Sequence, residues 1–220
     1  MNLIDSLILD GWLKTPEIIK AFREIKREDF IPEDMKNLAE LNEALPIGFG
    51  QTISQPLTVA FMLELLQPKE GDKILDVGSG SGWTSALLGF IACPPKPEGR
   101  RRVRHTGRVV AIEIVPELKE LGEKNVSKYG FIKKGVVEFI CADGSKGFKK
   151  ESPYDKILIS AASSSGIPEE LKKQLKVGGK MVCPIENSIW LFVKRPFCKG
   201  YPENEFDKKE YPGFIFVPLV

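Results

Sequence analysis

Histidine and cysteine are scarce in this 220-residue chain, which contains one histidine and four cysteines. The cysteines form no C-x-x-C pair, and His105 alone does not complete a Cys/His zinc set. The chain also offers no Ser/His/Asp or Cys/His arrangement for nucleophilic catalysis. We therefore expect neither a metal site nor a disulfide framework.

An excess of charge of one sign and long apolar runs are also lacking. The 32 Lys and Arg residues against 30 Asp and Glu leave a formal charge of +2, so no strong overall field attracts nucleic acid or anionic lipid. Apolar stretches such as 60–66 and 87–91 are far shorter than the roughly 20 residues of a membrane helix. The early acid Asp5 and the lack of a basic stretch argue against a secretory signal. We expect a cytoplasmic protein with no membrane segment.

The order of apolar patterns predicts an α/β fold and a single domain over residues 1–220. Residues 1–45 contain apolar residues at helical spacing, which predicts a helical N-terminal cap. A turn-rich segment, 46–58, follows, and a helix begins at Pro56. In residues 73–220 strand and helix patterns alternate, which predicts a doubly wound, mostly parallel sheet covered on both faces.

Seven strands are predicted in the sheet region, at 73–77, 108–114, 136–141, 155–160, 180–184, 189–194 and 214–217. Helices are predicted between them at 84–92, 116–129 and 168–175, and Val177-Gly178-Gly179 is interpreted as the glycine C-cap of the last. The final strands have no helix between them, so the sheet should end in antiparallel strands. A Pro-, Gly- and Arg-rich stretch at 93–107 is interpreted as a basic loop insertion.

A glycine-rich turn, Gly78-Ser79-Gly80-Ser81-Gly82, joins the first predicted strand to the first helix of the sheet. Ligands bind at this place in doubly wound sheets, and glycine lets a ligand approach the backbone closely. The turn therefore predicts a nucleotide-type ligand, while a tight turn with glycines for packing alone is the alternative. The spacing G-x-G-x-G departs from the dinucleotide pattern G-x-G-x-x-G, which makes NAD the second choice.

Acidic residues end the next two predicted strands. Glu113 is placed where a carboxylate can accept the ribose hydroxyls of an adenosine ligand, and Asp143-Gly144 ends the third strand in the equivalent position. We expect three strand ends to meet at one crevice. An exposed acid at a strand end is the alternative for Glu113. Together with the glycine-rich turn, these residues favour an adenosine cofactor.

With these motifs, the segment Gly48-Phe49-Gly50-Gln51-Thr52-Ile53-Ser54-Gln55-Pro56 resembles the substrate segment of the protein L-isoaspartate O-methyltransferases. Asp76 to Gly82 resembles the cofactor loop of that family, and Asp143-Gly144 its adenine-side turn. Pro153-Tyr154-Asp155 and Phe216-Val217-Pro218-Leu219 resemble the entry to its fourth strand and its closing strand. The resemblance covers most of the chain and implies a Rossmann-like, S-adenosylmethionine-dependent methyltransferase fold.

The resemblance implies methyl transfer from S-adenosylmethionine to the free carboxylate of L-isoaspartyl residues in damaged proteins and peptides. Ser54 is the implied catalytic residue, a hydrogen-bond donor that aims the carboxylate, and its alternative role is a cap of the Pro56 helix. A carboxylate is already ionised at pH 7, so no general base is required. The implied substrate-positioning residues are Gln51, Thr52, Ile53 and Pro56, and the implied cofactor-binding residues are Asp76, Gly78, Ser79, Gly80, Gly82, Glu113, Asp143 and Gly144.

Two other functions are compatible with the same motifs. A methyltransferase acting on RNA or a small molecule would keep the cofactor loop, and a non-catalytic module would bind isoaspartyl ends or a protein partner without turnover. The basic loop is a local positive patch, but His105 is its sole aromatic residue, so we expect no nucleic-acid partner. We also expect a monomer. The sequence departs from the family at Glu186, where a glycine is common.

Overall fold

A central sheet organises the computed structural model, which describes residues 2–95, 107–161, 166–196 and 205–214. Its strands are β3 (Lys73–Val77), β4 (Arg108–Glu113), β5 (Val137–Cys141), β6 (Tyr154–Ile159), β7 (Leu175–Ile185), β8 (Ser188–Lys194) and β9 (Phe206–Pro212). They lie in the order β5-β4-β3-β6-β7-β8-β9, parallel from β5 to β7 and antiparallel from β7 to β9. The predicted α/β class and the mostly parallel, seven-stranded sheet are confirmed.

Helices connect the strands, and a small hairpin lies outside the sheet. The helices are α1 (Leu3–Leu9), α2 (Pro16–Glu24), α3 (Pro56–Leu66), α4 (Trp83–Ala92), α5 (Pro116–Ser127) and α6 (Glu169–Gln174), with 3-10 turns at Arg27–Phe30, Glu33–Leu38, Gly144–Lys146 and Lys149–Glu151. The hairpin pairs β1 (Leu45–Gly48) with β2 (Gln51–Ile53) in antiparallel register. No helix within the described ranges combines the length and the apolar character needed to cross a bilayer.

Both faces of the sheet are buried against helices, and side chains alternate between the two faces along each strand. Ile74 and Val109 belong to a cluster that includes residues of α1 to α5. Their neighbours Leu75 and Val110 belong to a second cluster, which includes Leu171 of α6. This burial explains why the central strands appear in the sequence as continuous apolar runs.

The ligand crevice of such a sheet is fixed by its strand order. β3 is flanked by β4 on one side and by β6 on the other, so the order of the strands reverses beside it. In open α/β sheets, ligands bind outside the carboxyl ends of the strands at this reversal. The loops after β3, β4, β5 and β6 are therefore the loops that build the site.

One predicted element at the C-terminal side is wrong, and one strand was missed. Val177-Gly178-Gly179 is no helix cap, since it lies inside β7, where Gly178 has a φ of +77° and the register with β6 shifts. The seventh described strand, Phe206–Pro212, was not predicted, whereas the predicted strand at 214–217 lies outside the described residues except for Phe214. The strand Phe206–Pro212 contains four charged residues in a row and so lacks the apolar alternation that predicts a strand. An edge strand paired only with β8 does not need that alternation.

Several predicted features lie outside the described residues. These are most of the basic loop (96–106), residues 215–217 of the last predicted strand and the closing segment 216–219. The N-terminal cap is present as α1, α2 and two 3-10 turns. The turn-rich segment after it contains the β1–β2 hairpin, which was not predicted as strands.

Candidate active site

A cleft opens at the carboxyl ends of β3 to β6, where these strand ends face the segment Gln51–Ser54. It encloses about 810 Å³ of empty space, part of which is open to solvent. The predicted site residues that line it are Gln51, Thr52, Ile53, Ser54, Gly78, Ser79, Gly80, Glu113 and Gly144. The cleft therefore joins the predicted substrate segment to the predicted cofactor loop.

The glycine-rich turn after β3 is held in a conformation that most residues avoid. Gly78 and Gly80 have φ values of +76° and +53°, in the region that favours glycine. The backbone N–H groups of Gly78 and Ser79 donate to the carbonyl of Ile112 on β4, at 2.9 and 3.1 Å. A Cβ on Gly80 would lie 3.3 Å from Cδ1 of Ile47, so the β1–β2 hairpin packs closely against this turn.

Glu113, at the end of β4, holds the same turn through hydrogen bonds. Its Oε2 accepts the backbone N–H of Gly80 at 2.8 Å. Its Oε1 accepts the N–H groups of Ile114 and Val115 at 2.9 and 3.1 Å. A carboxylate has about four acceptor sites, so three are used and one is left for a hydroxyl of a ligand.

Asp76 lies behind the cleft and does not line it. Its Oδ2 accepts from the hydroxyls of Thr84 and Ser85, at 2.9 and 2.6 Å, which fixes the first turn of α4. Its Oδ1 is buried and has no partner among the described residues. Burial raises the pKa of this carboxyl to about 6, against the opposing effect of the two hydroxyl bonds.

Gly82 and Asp143 are also placed away from the cleft lining. A Cβ on Gly82 would lie 2.9 Å from both the carbonyl of Gly122 and Cγ2 of Val126, so this glycine lets α4 begin against α5. Asp143 Oδ1 accepts from the hydroxyl and the backbone N–H of Ser145, at 2.6 and 3.0 Å. The hydrogen bond from the Ser145 side chain is the main cause that lowers the Asp143 pKa. Both residues shape loops next to the site.

Ser54 follows β2 directly and lines the cleft. Its hydroxyl makes no hydrogen bond to any described residue. The N-cap of α3 is Gln55, and the N–H of Leu57 donates to Oδ1 of Asn42 at 2.9 Å. The alternative role of Ser54 as the helix cap is therefore wrong, because Asn42 performs that task from a distance. Pro56 is the first residue of α3 and lies outside the lining.

Sequence reasoning missed the apolar walls and the fourth strand end. Ile112, Ile114 and Val115 line the cleft on the β4 side, and Ser160 and Ala161 line it after β6. The same rule that selected Glu113 would have found the last two, since they follow the carboxyl end of a parallel strand. Trp83, at the start of α4, also lines the cleft and had no signal in the sequence beyond its place after the glycines.

The lining fits a ligand that contains adenosine. Apolar side chains after β4 offer a surface for a base, Glu113 keeps one acceptor site for a ribose hydroxyl, and the turn leaves its backbone open to close approach. The hydroxyl of Ser79 lines the cleft and is buried without a partner among the described residues. In the described ranges no three His, Cys, Asp or Glu side chains are grouped to hold a metal ion.

Comparison with known proteins gives a family and a fold. The family model described as protein-L-isoaspartate(D-aspartate) O-methyltransferase matches residues 1–220. Proteins named protein-L-isoaspartate O-methyltransferase from Methanopyrus kandleri and Ignicoccus hospitalis are 36% and 39% identical to this chain, over all of it and over 90% and 96% of their own lengths. A Plasmodium falciparum crystal structure, described as such an enzyme in complex with S-adenosyl-L-homocysteine, shares the fold. Its TM-score is 0.81 at 22% identity, over 100% of this chain and 99% of that one.

Proposed function

Because the chain belongs to the protein-L-isoaspartate O-methyltransferase family, we propose that its cleft holds S-adenosylmethionine beside Ser54 and that the Ser54 hydroxyl aims the substrate carboxylate. The protein is an S-adenosylmethionine-dependent enzyme that methylates the free carboxylate of L-isoaspartyl residues in damaged proteins and peptides, which initiates their repair. The observation that carries the proposal is the Ser54 hydroxyl, which lines the cleft and has no hydrogen-bond partner among the described residues.

The chemistry places few demands on the side chains. Bound S-adenosylmethionine would supply a methyl group activated by its sulfonium, which a carboxylate oxygen would take in line as the C–S bond breaks and S-adenosylhomocysteine leaves as a neutral thioether. The carboxylate is ionised near neutral pH, so the chain needs no general base. The Ser54 Oγ–H donates to one carboxylate oxygen and fixes its direction. Holding reacting groups in a near-attack arrangement lowers a barrier by up to about 7–11 kcal/mol, and Ser54 contributes part of this orientation.

Pro56 and Leu57, the first two residues of α3, offer the carboxylate no free backbone N–H. Pro56 has no backbone N–H, and the N–H of Leu57 is engaged by Asn42. We assign the remaining positioning of the isoaspartyl chain to Gln51, Thr52 and Ile53, which line the cleft along β2. Pro56 then acts indirectly, by starting the helix that follows Ser54.

The cofactor-binding residues separate into two groups. In the proposal Gly78, Ser79, Gly80, Glu113 and Gly144 face the cofactor, because they line the cleft. Asp76, Gly82 and Asp143 support it from behind, because their contacts are with α4, α5 and the turn after β5. Glu113 accepts one ribose hydroxyl through its remaining acceptor site.

We also propose that residues 1–220 act as one methyltransferase domain, with the helical cap (1–45), the substrate segment (46–58) and the sheet region (73–220) sharing a core. Leu7 and Ile18 of the cap are in one apolar cluster with Ile74 of the sheet, which supports this division. A cytoplasmic, monomeric enzyme is part of the proposal. Cys93, Cys141 and Cys183 are free, as fits a reducing compartment.

Transfer of labelled methyl to paired peptides tests the proposal. The peptides differ only in isoaspartate versus aspartate, and the assay is run near neutral pH because the ester product hydrolyses in base. Base-labile label should appear on the isoaspartyl peptide alone. Ser54→Ala should lower kcat/KM by about 10–100-fold, since a hydrogen bond to a charged group is worth about 1.5–3 kcal/mol.

The controls separate aiming from folding and from cofactor binding. The affinity for S-adenosylhomocysteine, measured by calorimetry, should be nearly the same in Ser54→Ala. Ser127→Ala, at the exposed end of α5, is the matched control and should retain full turnover. Equal activity of Ser54→Ala and the parent enzyme would show that the hydroxyl does not aim the carboxylate.

A further inference from the structure

A buried arginine from the helical cap reaches the backbone of the substrate segment. Arg27, in the 3-10 turn after α2, is only 6% exposed. Its Nη1 donates to the carbonyls of Ala39 and Leu41 at 3.1 and 3.2 Å. Its Nη2 donates to the carbonyls of Glu43 and Ser54 at 2.7 and 3.3 Å. One guanidinium thus joins the 39–43 loop to the residue that lines the cleft.

The same loop is tied to α3 by a second pair of contacts. Asn42 accepts the N–H of Leu57, and its own carbonyl accepts from Nε2 of Gln55 at 2.8 Å. Ser54 itself is therefore attached to the 39–43 loop through Arg27, and the residues that follow it, Gln55 and Leu57, are attached to that loop through Asn42. The Ser54 hydroxyl is the polar group that these contacts leave free.

Arg27 also contacts the cofactor side of the cleft. Its guanidinium carbon lies 5.5 Å from the ring centroid of Trp83, within the range of a cation–π interaction. Trp83 is the first residue of α4, directly after the glycine-rich turn, and it lines the cleft. Arg27 is therefore in contact with both halves of the site, the Ser54 backbone and the start of the cofactor-side helix.

The burial of the charged Arg27 guanidinium costs free energy. Burial lowers the pKa of Arg27 to about 10, so the group is still charged near neutral pH. Its hydrogen bonds, as far as the described residues show, go to carbonyls and to no carboxylate. Nε of Arg27 and Nε1 of Trp83 are both buried without a hydrogen-bond partner among the described residues. Buried donors without partners are rare and costly, so these two nitrogens beside the cleft need an explanation.

We propose that Arg27 is a positioning residue that sets the distance and direction of the Ser54 hydroxyl relative to the cofactor-side helix at Trp83. The proposal rests on the proposed role of Ser54 as the donor to the substrate carboxylate. Arg27 does not touch the substrate in this scheme. It acts through the Ser54 carbonyl, and its five donors in a rigid fork suit four carbonyls in a way that a lysine does not.

Graded replacements test the proposal. Arg27→Lys keeps the charge, Arg27→Gln keeps one amide donor, and Arg27→Met keeps the length of the stem without donors. Each should lower kcat for the isoaspartyl peptide at least tenfold per folded enzyme, most strongly in Arg27→Met, with a change of less than threefold in S-adenosylhomocysteine affinity. Arg23→Met is the matched control, because Arg23 is on α2 in an exposed ion pair with Asp5 and should keep full activity.

A double-mutant cycle shows whether Arg27 acts through Ser54. If it does, Arg27→Met in a Ser54→Ala background should lower kcat less than threefold further, because the hydroxyl that it aims is already gone. Equal fold-losses in both backgrounds would overturn the proposal. A lower melting temperature with unchanged kcat and KM per folded enzyme would also overturn it, as would failure of all three variants to fold. Full activity of the Ser54→Ala enzyme would reject the role of Ser54 itself. This variant is therefore measured before any Arg27 variant is made.

Discussion

The buried carboxyl of Asp76 predicts that the enzyme is destabilised as the pH rises through the mildly acidic range. Asp76 is fully buried beneath the glycine-rich turn, and one of its oxygens has no partner among the described residues. Its pKa is raised from an ordinary 3.8 to about 6, mainly by burial. Between these two values the folded chain holds the proton more tightly than the unfolded chain. Stability is therefore highest below the unfolded pKa and falls until the pH passes the folded pKa.

The size of this effect follows from the two pKa values. The gap between 3.8 and about 6 corresponds to about 3 kcal/mol of unfolding free energy, at ~1.36 kcal/mol per pKa unit. About 2 kcal/mol of that is lost between roughly pH 4.5 and 7.5. Asp76→Asn is neutral throughout and lacks this loss. The stability of Asp76→Asn relative to the parent enzyme should therefore rise by about 2 kcal/mol across that interval.

Urea unfolding of both proteins at four pH values across this interval measures the difference between their unfolding free energies. The contributions of the other titrating groups cancel in that difference. Asp143→Asn is the control. The Asp143 pKa is lowered, so this carboxyl titrates below the interval. The difference in unfolding free energy between Asp143→Asn and the parent enzyme should therefore not change with pH. A level difference for Asp76→Asn, within about 0.5 kcal/mol, would refute the reasoning. It would mean that the hydroxyls of Thr84 and Ser85 compensate the buried charge fully.

Three further predictions concern the cleft, the capping of α3 by Asn42 and the strained backbone at Glu186. Gly80→Val places a branched side chain at a φ of +53° and toward Ile47, so S-adenosylhomocysteine should bind at least tenfold more weakly by calorimetry, and unchanged affinity would place the cofactor elsewhere. Asn42→Ala removes the cap of α3 and should lower the unfolding free energy by about 1 kcal/mol, whereas an unchanged urea midpoint would assign the cap to another group. Glu186→Gly, at a φ of +51°, should raise the unfolding free energy by about 0.5–1 kcal/mol, and a loss of stability would contradict the strain.

Most of the sheet could be predicted because its central strands are buried on both faces. The apolar runs of β3, β4 and β6 and the glycines after β3 are local signals, and the structure confirms the elements they predict. The errors lie where tertiary context decides. Gly178 and Gly179 resemble a helix end in the sequence, but a shift of register between β6 and β7 places them inside a strand. Phe206–Pro212 is a strand because β8 offers it an edge, which its own charged sequence does not indicate.

The site could be predicted in part, for a similar reason. The glycine-rich turn and Glu113 follow the ends of adjacent strands, so a simple rule about parallel sheets brings them together. Arg27 reaches Ser54 across 27 residues and Asn42 reaches Leu57 across 15. No local sequence pattern indicates either contact, because both form only when the 39–43 loop packs beside the start of α3. The residues that hold Ser54 in place were therefore missed, although Ser54 itself was predicted.

A sequence motif mixes residues that contact a ligand with residues that support them, and the geometry separates the two. In the stretch from Asp76 to Gly82, Gly78 and Gly80 line the cleft, whereas Asp76 fixes α4 and Gly82 makes room for α5. The same division holds around Ser54. Capping α3 with Asn42 leaves the serine hydroxyl free, and a serine that capped its own helix would have to give up that bond to hold a carboxylate. Support from a distance therefore keeps the donor available for the substrate.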